Sequence, residues 1–470
     1  MPNHKLTPEI LAAHGDLSAV SRQFVESLGA HPDLLRRVDS PRDHPEDFPA
    51  WALKMLYPMQ AWPALVGRET IEEIDTAVAG ITALVKQVPA RIFDGDTGRI
   101  ARYYNEKPGR VAVLLEPPDL ASTMVARTDF LISERGIQFL EVNLSARLGG
   151  WSLRFWERFY RSRPALAAFL AEHGIEPRYR DPLRRMFQDV IANAIRSGLA
   201  EKGEVNLALL VPPGEPGEIH PESLPFLRAL YAETLAERDP GLGGTVAFGA
   251  FPESFEIRKD KLYLRNGKRV HALYEFATGW APLETYLAAK CGLLQVYNGP
   301  LQRFGGDKRC LALLSEHAAS GRFDERERSL IERFVPWGRD LIPGPVEYLG
   351  ERHDLARLLR SARERFVLKK GWSFEGRDVL LGAVATQEEW ERQIEEAMGA
   401  GGWLVQERVT SRPYLFQVGE QGAAPHSVVW GTFCIGGAFG GGFLRMAPQG
   451  LGDGVINSAR GATEGYIFEV

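Results

Sequence analysis

The chain has 470 residues, 44% of them hydrophobic and 25% charged, with a formal net charge of −5. This is the composition of an ordinary folded protein of roughly two to four lobes, and it excludes disordered, collagenous and membrane-spanning classes. A mildly acidic chain has no global basic field, so neither nucleic acid nor an anionic membrane is expected as a partner.

Residues 1–100 read as a helical N-terminal region, on the helical spacing of Ile71, Ile74, Val78, Ile81 and Leu84. The pattern then shifts to short strands at 111–115 and 138–143, with a turn at Arg135-Gly136, which predicts a hairpin-like unit. Helical spacing returns over 153–200, where Arg154, Arg158, Arg161 and Arg163 fit a solvated helix face better than a substrate grip.

Strand, helix and strand at 205–211, 221–237 and 245–251 predict a small parallel α/β unit within 203–300. It carries a hairpin of Phe255–Arg258, Lys261–Leu264 and 270–274 around turns at Lys259-Asp260 and Asn266-Gly267. After Asp307 come two helices, a strand at 366–369, a Gly-containing loop, a strand at 378–381, a helix at 387–398 and strands to the C-terminus. The division expected is 1–100, helical; 101–202, a metal-binding part of the core; 203–300, the α/β lobe; and 301–470, a nucleotide-binding lobe that returns to the core.

The first chemistry-bearing cluster is Arg127-Thr128-Asp129-Phe130 with Glu141-Val142-Asn143. Side chains alternate along a strand, so Glu141 and Asn143 share one face and Asp129 can meet them from the neighbouring strand. Hard oxygen donors of this kind suit magnesium, and Arg127 can hold a phosphate oxygen from the same side. Surface charge on a half-exposed hairpin is the alternative. Against it, a carboxylate in the apolar run Phe139-Leu140-Glu141-Val142 is costly without a compensating cation or donor.

Lys369 ends an apolar strand above the Gly-containing loop 370–378, where it could reach phosphates or simply be solvated at a sheet edge. Asp307 is expected to cap a helix and leave Lys308 in its first turn, a place for a cation only if it is solvated or has an anion beside it. Gln406, Glu407 and Val409 close an apolar strand that is either an ordinary strand end or one whose backbone could pair with an adenine edge. Arg445 follows the run Gly440-Gly441-Gly442, and alternation leaves its facing open.

In this order the features resemble the synthetase domain of glutathionylspermidine synthetases and, more distantly, eukaryotic glutathione synthetases. Arg127, Asp129, Glu141 and Asn143 match the family's phosphate- and magnesium-binding pattern. Asp307-Lys308 stands where the family has Asn-Lys. Lys369 to Val379 aligns without a gap on its Lys-Pro-x-x-Gly-Arg-Glu-Gly-x-x-Val loop, and Val405-Gln406-Glu407-x-Val409 and Phe443-Leu444-Arg445 also find counterparts. Two departures fall in the loop: Lys370 replaces proline, and Ser373-Phe374 replace Gly-Arg.

The resemblance implies an α/β (α+β) chain with a circularly permuted ATP-grasp fold, a pre-ATP-grasp lobe and an ADP-forming carboxylate–amine ligase activity. ATP and Mg would be its cofactors. Asp129, Glu141 and Asn143 would bind the metal; Lys308, Lys369, Glu375, Gly376, Gln406, Glu407 and Val409 the nucleotide; Arg127 and Arg445 would act on the transferring phosphoryl group. The substrates would be a small or peptide carboxylate and an amine, and a homodimer is compatible with the family. A regulatory scaffold that has lost activity and an ATP-grasp phosphotransferase are the alternatives. A stand-alone synthetase-like unit is expected, without the cysteine-amidase domain that some glutathionylspermidine enzymes carry.

The N-terminus lacks the apolar core of a secretory signal, and Cys291, Cys310 and Cys434 sit in apolar contexts without metal or redox spacing. A cytoplasmic protein with inert, buried cysteines is expected.

Overall fold

The computed structural model describes residues 6–28, 48–53, 57–115, 123–144, 148–150, 152–200, 203–212, 221–275, 281–373, 376–418, 422–450 and 454–470. Two sheets matter for the site. The larger has seven strands, in the order Ala64–Val66, Thr463–Glu469, Ala438–Pro448, Gly422–Ile435, Val125–Ser133 and Gly136–Asn143, with Tyr414–Val418 also paired to Gly422–Ile435. The smaller has four antiparallel strands: Gly338–Asp340, Trp403–Glu407, Phe366–Lys370 and Val379–Leu381.

Local chemistry explains the hairpins of the large sheet. Ile435 and Ala438 are joined by Gly436-Gly437, both at positive φ (61° and 78°), the two-residue turn whose twist suits an antiparallel pair. The hairpin Val125–Ser133/Gly136–Asn143 sets Asp129 opposite Glu141 and Arg127 opposite Asn143. Between the pairs Asp129/Glu141 and Phe130/Phe139 the register slips, and Leu140 is the extra, bulged residue. Phe139 consequently stays in the core beside Phe130, whose ring stacks on Trp430 at 6.1 Å, while Glu141 joins Asp129 on the other face. The long helix Arg68–Phe93 buries Ile74, Val78, Ile81 and Val85 in the main core and packs against the large sheet.

The small sheet has a core of its own. Leu355 and Leu359 of helix Leu355–Ser361, and Trp390 and Ile394 of helix Gln387–Ala400, pack on Phe366, Leu368 and Val405. A reciprocal Thr386/Glu389 capping box starts the second helix. A third sheet is fully parallel, ordered Val246–Gly249, Leu207–Leu210, Ala272–Glu275 and Gln295–Tyr297, which is the small α/β unit that the sequence predicts.

Three expectations are corrected. Residues 111–115 belong to a helix, Pro108–Leu114, and not to a strand. Pro108 at the first helical position has its φ preset for a helix, and burial of Val111 outweighs the few tenths of a kcal/mol by which valine disfavours one. Residues 270–274 continue the hairpin Phe255–Arg258/Lys261–Leu264 only at their start: Arg269 bridges to Tyr263 and the Val270 N donates to the Leu262 carbonyl (2.8 Å), after which the chain crosses to the third sheet. Ala272–Glu275 is buried throughout and pairs with parallel neighbours on both sides, as an apolar run does at a sheet centre. Cys310 and Cys434 are buried as expected, but Cys291 is exposed, because it caps the surface helix Leu283–Lys290 just before Gly292 turns at φ 70°. No helix among the described residues is long and apolar enough to cross a membrane.

Candidate functional site

The two sheets face each other across a cleft with about 810 Å³ of empty space, its open mouth included. The large sheet supplies Asp129, Leu131, Leu140, Glu141, Val429 and Arg445; the small sheet supplies Val367, Lys369, Val379, Leu381 and Gln406. One end of the cleft is therefore charged and the rest largely apolar.

At the charged end Asp129, only 2% exposed, is gripped by two guanidinium groups. Arg127 donates from Nε to Oδ1 (2.9 Å) and from Nη2 to Oδ2 (3.1 Å), and Arg445 Nη2 lies 2.7 Å from Oδ2. This settles the facing of Arg445, which points into the cleft beside Asp129. Its Nε is buried without a hydrogen-bond acceptor among the described residues, a costly state for a guanidinium nitrogen. Both arginines also lie over the Phe443 ring, at 5.7 and 5.8 Å.

Asn143 ties the acids together, its Nδ2 donating to Asp129 Oδ2 (3.2 Å) and Glu141 Oε1 (3.0 Å). The second oxygen of Glu141 is 3.5 Å from Lys308 Nζ, and the side chain is 23% exposed toward the cleft. Burial opposes ionisation of Glu141, but the Lys308 ammonium, the hydrogen bond donated by Asn143 and Lys369 together hold its carboxyl well below the usual range.

Lys369 enters from the opposite sheet. Its Nζ donates to Gln406 Oε1 (2.6 Å) and to the carbonyl of Leu140 (3.2 Å), while Gln406 Nε2 donates to the carbonyl of Phe139 (3.2 Å). One lysine–glutamine pair thus bridges the two walls. Burial is the main influence that lowers the Lys369 pKa to about 8, with Glu141 opposing it and Lys308 adding to it.

Four cationic groups, Arg127, Lys308, Lys369 and Arg445, therefore surround Asp129 and Glu141. A third carboxyl, Glu464, lies across the ladder from Arg445, where burial raises its pKa. A buried excess of positive charge is unfavourable unless an anion joins it.

The remaining predicted residues fall as follows. Lys308 sits at the N-cap of helix Arg309–His317, one position before the first turn, because the Asp307 carboxylate reaches past it to accept from the backbone N of Arg309. The anion beside it is Glu141. Glu407 and Val409 line the cleft. The Glu407 carboxylate accepts from the Tyr348 hydroxyl (3.1 Å) and pairs with Arg135 (3.0 Å) from the turn of the facing hairpin. Gly376 lines the cleft at φ 68°, where a Cβ would come within 2.9 Å of Val455. Glu375 lies outside the described residues.

Sequence reasoning missed the apolar wall formed by Leu131, Leu140, Val367, Val379, Leu381 and Val429, and the contribution of Gly454, Val455, Ile456 and Asn457. Only alternation within single strands hinted at the wall. Of the four arginines in the second helical region, Arg154 pairs with Asp181 (3.0 Å) and Arg161 with Glu157 and Glu176 (3.0 Å each).

No cluster of three His, Cys, Asp or Glu that could hold a metal occurs among the described residues. Both oxygens of Asp129 are taken by arginines, which leaves Glu141 the more open donor. This fits an ion held by one or two carboxylates plus oxygens of a bound phosphate, as magnesium commonly is, and does not fit an all-protein cage.

No protein-family model matches the chain, and no curated protein matches it significantly. Among solved structures it is similar to a glutathione synthetase-like effector from Globodera pallida in its apo form, with a TM-score of 0.56 and 12% identity over 92% of this chain and 100% of that one. The chain has a glutathione synthetase-like fold. At that identity the likeness concerns architecture alone.

Proposed function

We propose that this chain is an ATP- and Mg-dependent carboxylate–amine ligase with a circularly permuted ATP-grasp core. The observation that supports this reading is the buried cationic excess around Asp129 and Glu141, with an Arg445 Nε that has no acceptor among the described residues, at one end of an apolar cleft between two sheets. Such a site suits a molecule with a polyanionic end and a flat apolar end. The base would lie between Leu140, Val367 and Leu381, near the backbone of 406–409, and the phosphates would lie among Arg127, Lys308, Lys369 and Arg445.

Bound magnesium would neutralise phosphate charge, and Glu141 with Asn143 would hold it. Arg445 and Arg127 would stabilise charge on the transferring phosphoryl group while Asp129 keeps them oriented. A substrate carboxylate would be phosphorylated, and an amine would displace phosphate from the acyl phosphate to form an amide. Exclusion of water by the loop after Lys369 would protect that intermediate.

One observation favours a non-catalytic reading: the Lys308 ammonium already donates to the carbonyl of Ser373, inside the altered loop. The structural neighbour is itself described as an effector. Calorimetry with ATP and magnesium, beside an ADP-release assay over a panel of carboxylates and amines, separates the two. The ligase reading expects ADP release that needs both substrates. Tight binding with no turnover on any pair would favour the scaffold, and a phosphorylated product found by mass spectrometry would favour a phosphotransferase.

A further inference from the structure

Behind Lys308 lies a buried polar network that the proposed chemistry does not use. Asp307, 4% exposed, accepts from the backbone N of Arg309 (2.9 Å) and from its guanidinium through Nε (3.0 Å) and Nη2 (2.6 Å). The Arg309 guanidinium lies 4.2 Å above the Tyr103 ring and also donates to the Tyr103 carbonyl (3.3 Å). The Tyr103 hydroxyl in turn donates to Asp340 Oδ1 (3.0 Å), on the edge strand of the small sheet.

The same segment holds the loop that follows Lys369. The Lys308 backbone N donates to the Gly371 carbonyl (2.9 Å), the Gly371 N donates to the Gly402 carbonyl (2.9 Å), and the Lys308 ammonium donates to the Ser373 carbonyl. Gly371 makes the approach feasible, since a Cβ there would collide with the Asp307 carboxylate and the Arg309 guanidinium. An ion pair stacked on an aromatic face in a buried setting is rigid, because few other rotamers satisfy its donors.

We propose that Tyr103, Asp307, Arg309 and Asp340 form a positioning network for Lys308. They fix the start of helix Arg309–His317 and the root of the 371–373 loop as one unit, and so hold the Lys308 ammonium between Glu141 and the Ser373 carbonyl. The catalytic consequence rests on the ligase reading; the placement of Lys308 does not.

The test follows acetylation of individual lysines by acetic anhydride, read by peptide mass spectrometry on the full chain. Tyr103→Phe and Asp307→Asn are expected to raise the rate at Lys308 several-fold and leave Lys369 at its parent rate. Asp340→Asn, which keeps an acceptor for the Tyr103 hydroxyl, is expected to label like the parent. A purely structural role would instead lower the melting temperature and raise labelling at many lysines alike, and that outcome overturns the proposal. So does an unchanged Lys308 rate in Tyr103→Phe, the mildest variant, which loses one oxygen and remains informative if Asp307→Asn does not fold. Since no nucleotide is added, failure of the ligase reading leaves this result intact.

Discussion

The two walls of the cleft are built on different principles. On the large sheet each acid that faces the cleft has a cation beside it: Asp129 has Arg127 and Arg445, and Glu141 has Lys308, while the Asn143 amide donates to both. On the small sheet the charged group that reaches inward, Lys369, is held by a neutral amide and a carbonyl, in surroundings that lower its pKa to about 8. Removing one member of a paired set strands its buried partners, whereas removing a desolvated lysine relieves a cost of burial. Substitutions on opposite walls should therefore separate stability from function in opposite directions.

The largest effect is expected from Asp129→Ala, which leaves two buried arginines without their carboxylate. Breaking a buried pair in this way costs about 3–5 kcal/mol. A urea melt should show it, and a midpoint equal to the parent's would dissolve the contrast between the walls. Glu141→Ala comes next: its side chain is partly open to the cleft, so the fold should persist while ATP turnover falls by about two to three orders of magnitude. Circular dichroism beside ADP release checks both halves, and retained turnover would remove Glu141 from the metal.

Lys369→Met tests the other wall. Loss of a charge-assisted contact, worth about 1.5–3 kcal/mol, should weaken ATP binding roughly 10- to 100-fold by calorimetry. Stability should rise or hold at neutral pH. The sign follows from the depressed pKa: below about 8 the folded chain must keep a buried ammonium, and the penalty is relieved as pH rises from about 8 toward the ordinary lysine value of 10.5. If Lys369→Met melts well below the parent, the small-sheet wall is not the destabilised one.

The same group gives a subtler signature. An anion favours the protonated lysine, so ATP affinity should fall as pH climbs past about 8, and binding near that pH should take up protons. Calorimetry in two buffers of different ionisation enthalpy measures the uptake, and Lys369→Met should abolish it. The smallest effect is expected from Leu381→Ala, which trims the apolar wall and should weaken ATP binding several-fold through lost burial of about 1 kcal/mol. An equal loss in phosphate-only binding would place the contact at the wrong end of the cleft.

How far the sequence foretold this depended on whether a relation lay within one strand or between distant segments. Glu141 and Asn143 share a face by simple alternation, and their meeting with Asp129 follows from two adjacent strands around one turn. The facing of Arg445 was undecidable, because the run Gly440-Gly441-Gly442 gives no apolar side chain to mark the core side. The apolar wall was illegible, since it is assembled from five separate strands and the 454–457 segment, none of which is unusual alone. The 111–115 run is ambiguous in pattern, because valine and leucine suit both states, and the local signal for a helix is the proline three residues earlier. Ala272–Glu275 misled for a related reason: proximity in sequence to a hairpin does not decide which sheet offers the better partners.

The bulge at Leu140 has a consequence for what the large sheet can present. In a regular pleat, adjacent residues look in opposite directions, so an oily group and an acid that follow one another are kept on opposite surfaces. Here Leu140 and Glu141 both line the cleft. One additional residue thus gives the strand a short greasy step beside its anionic end, where a molecule with both characters meets each in turn.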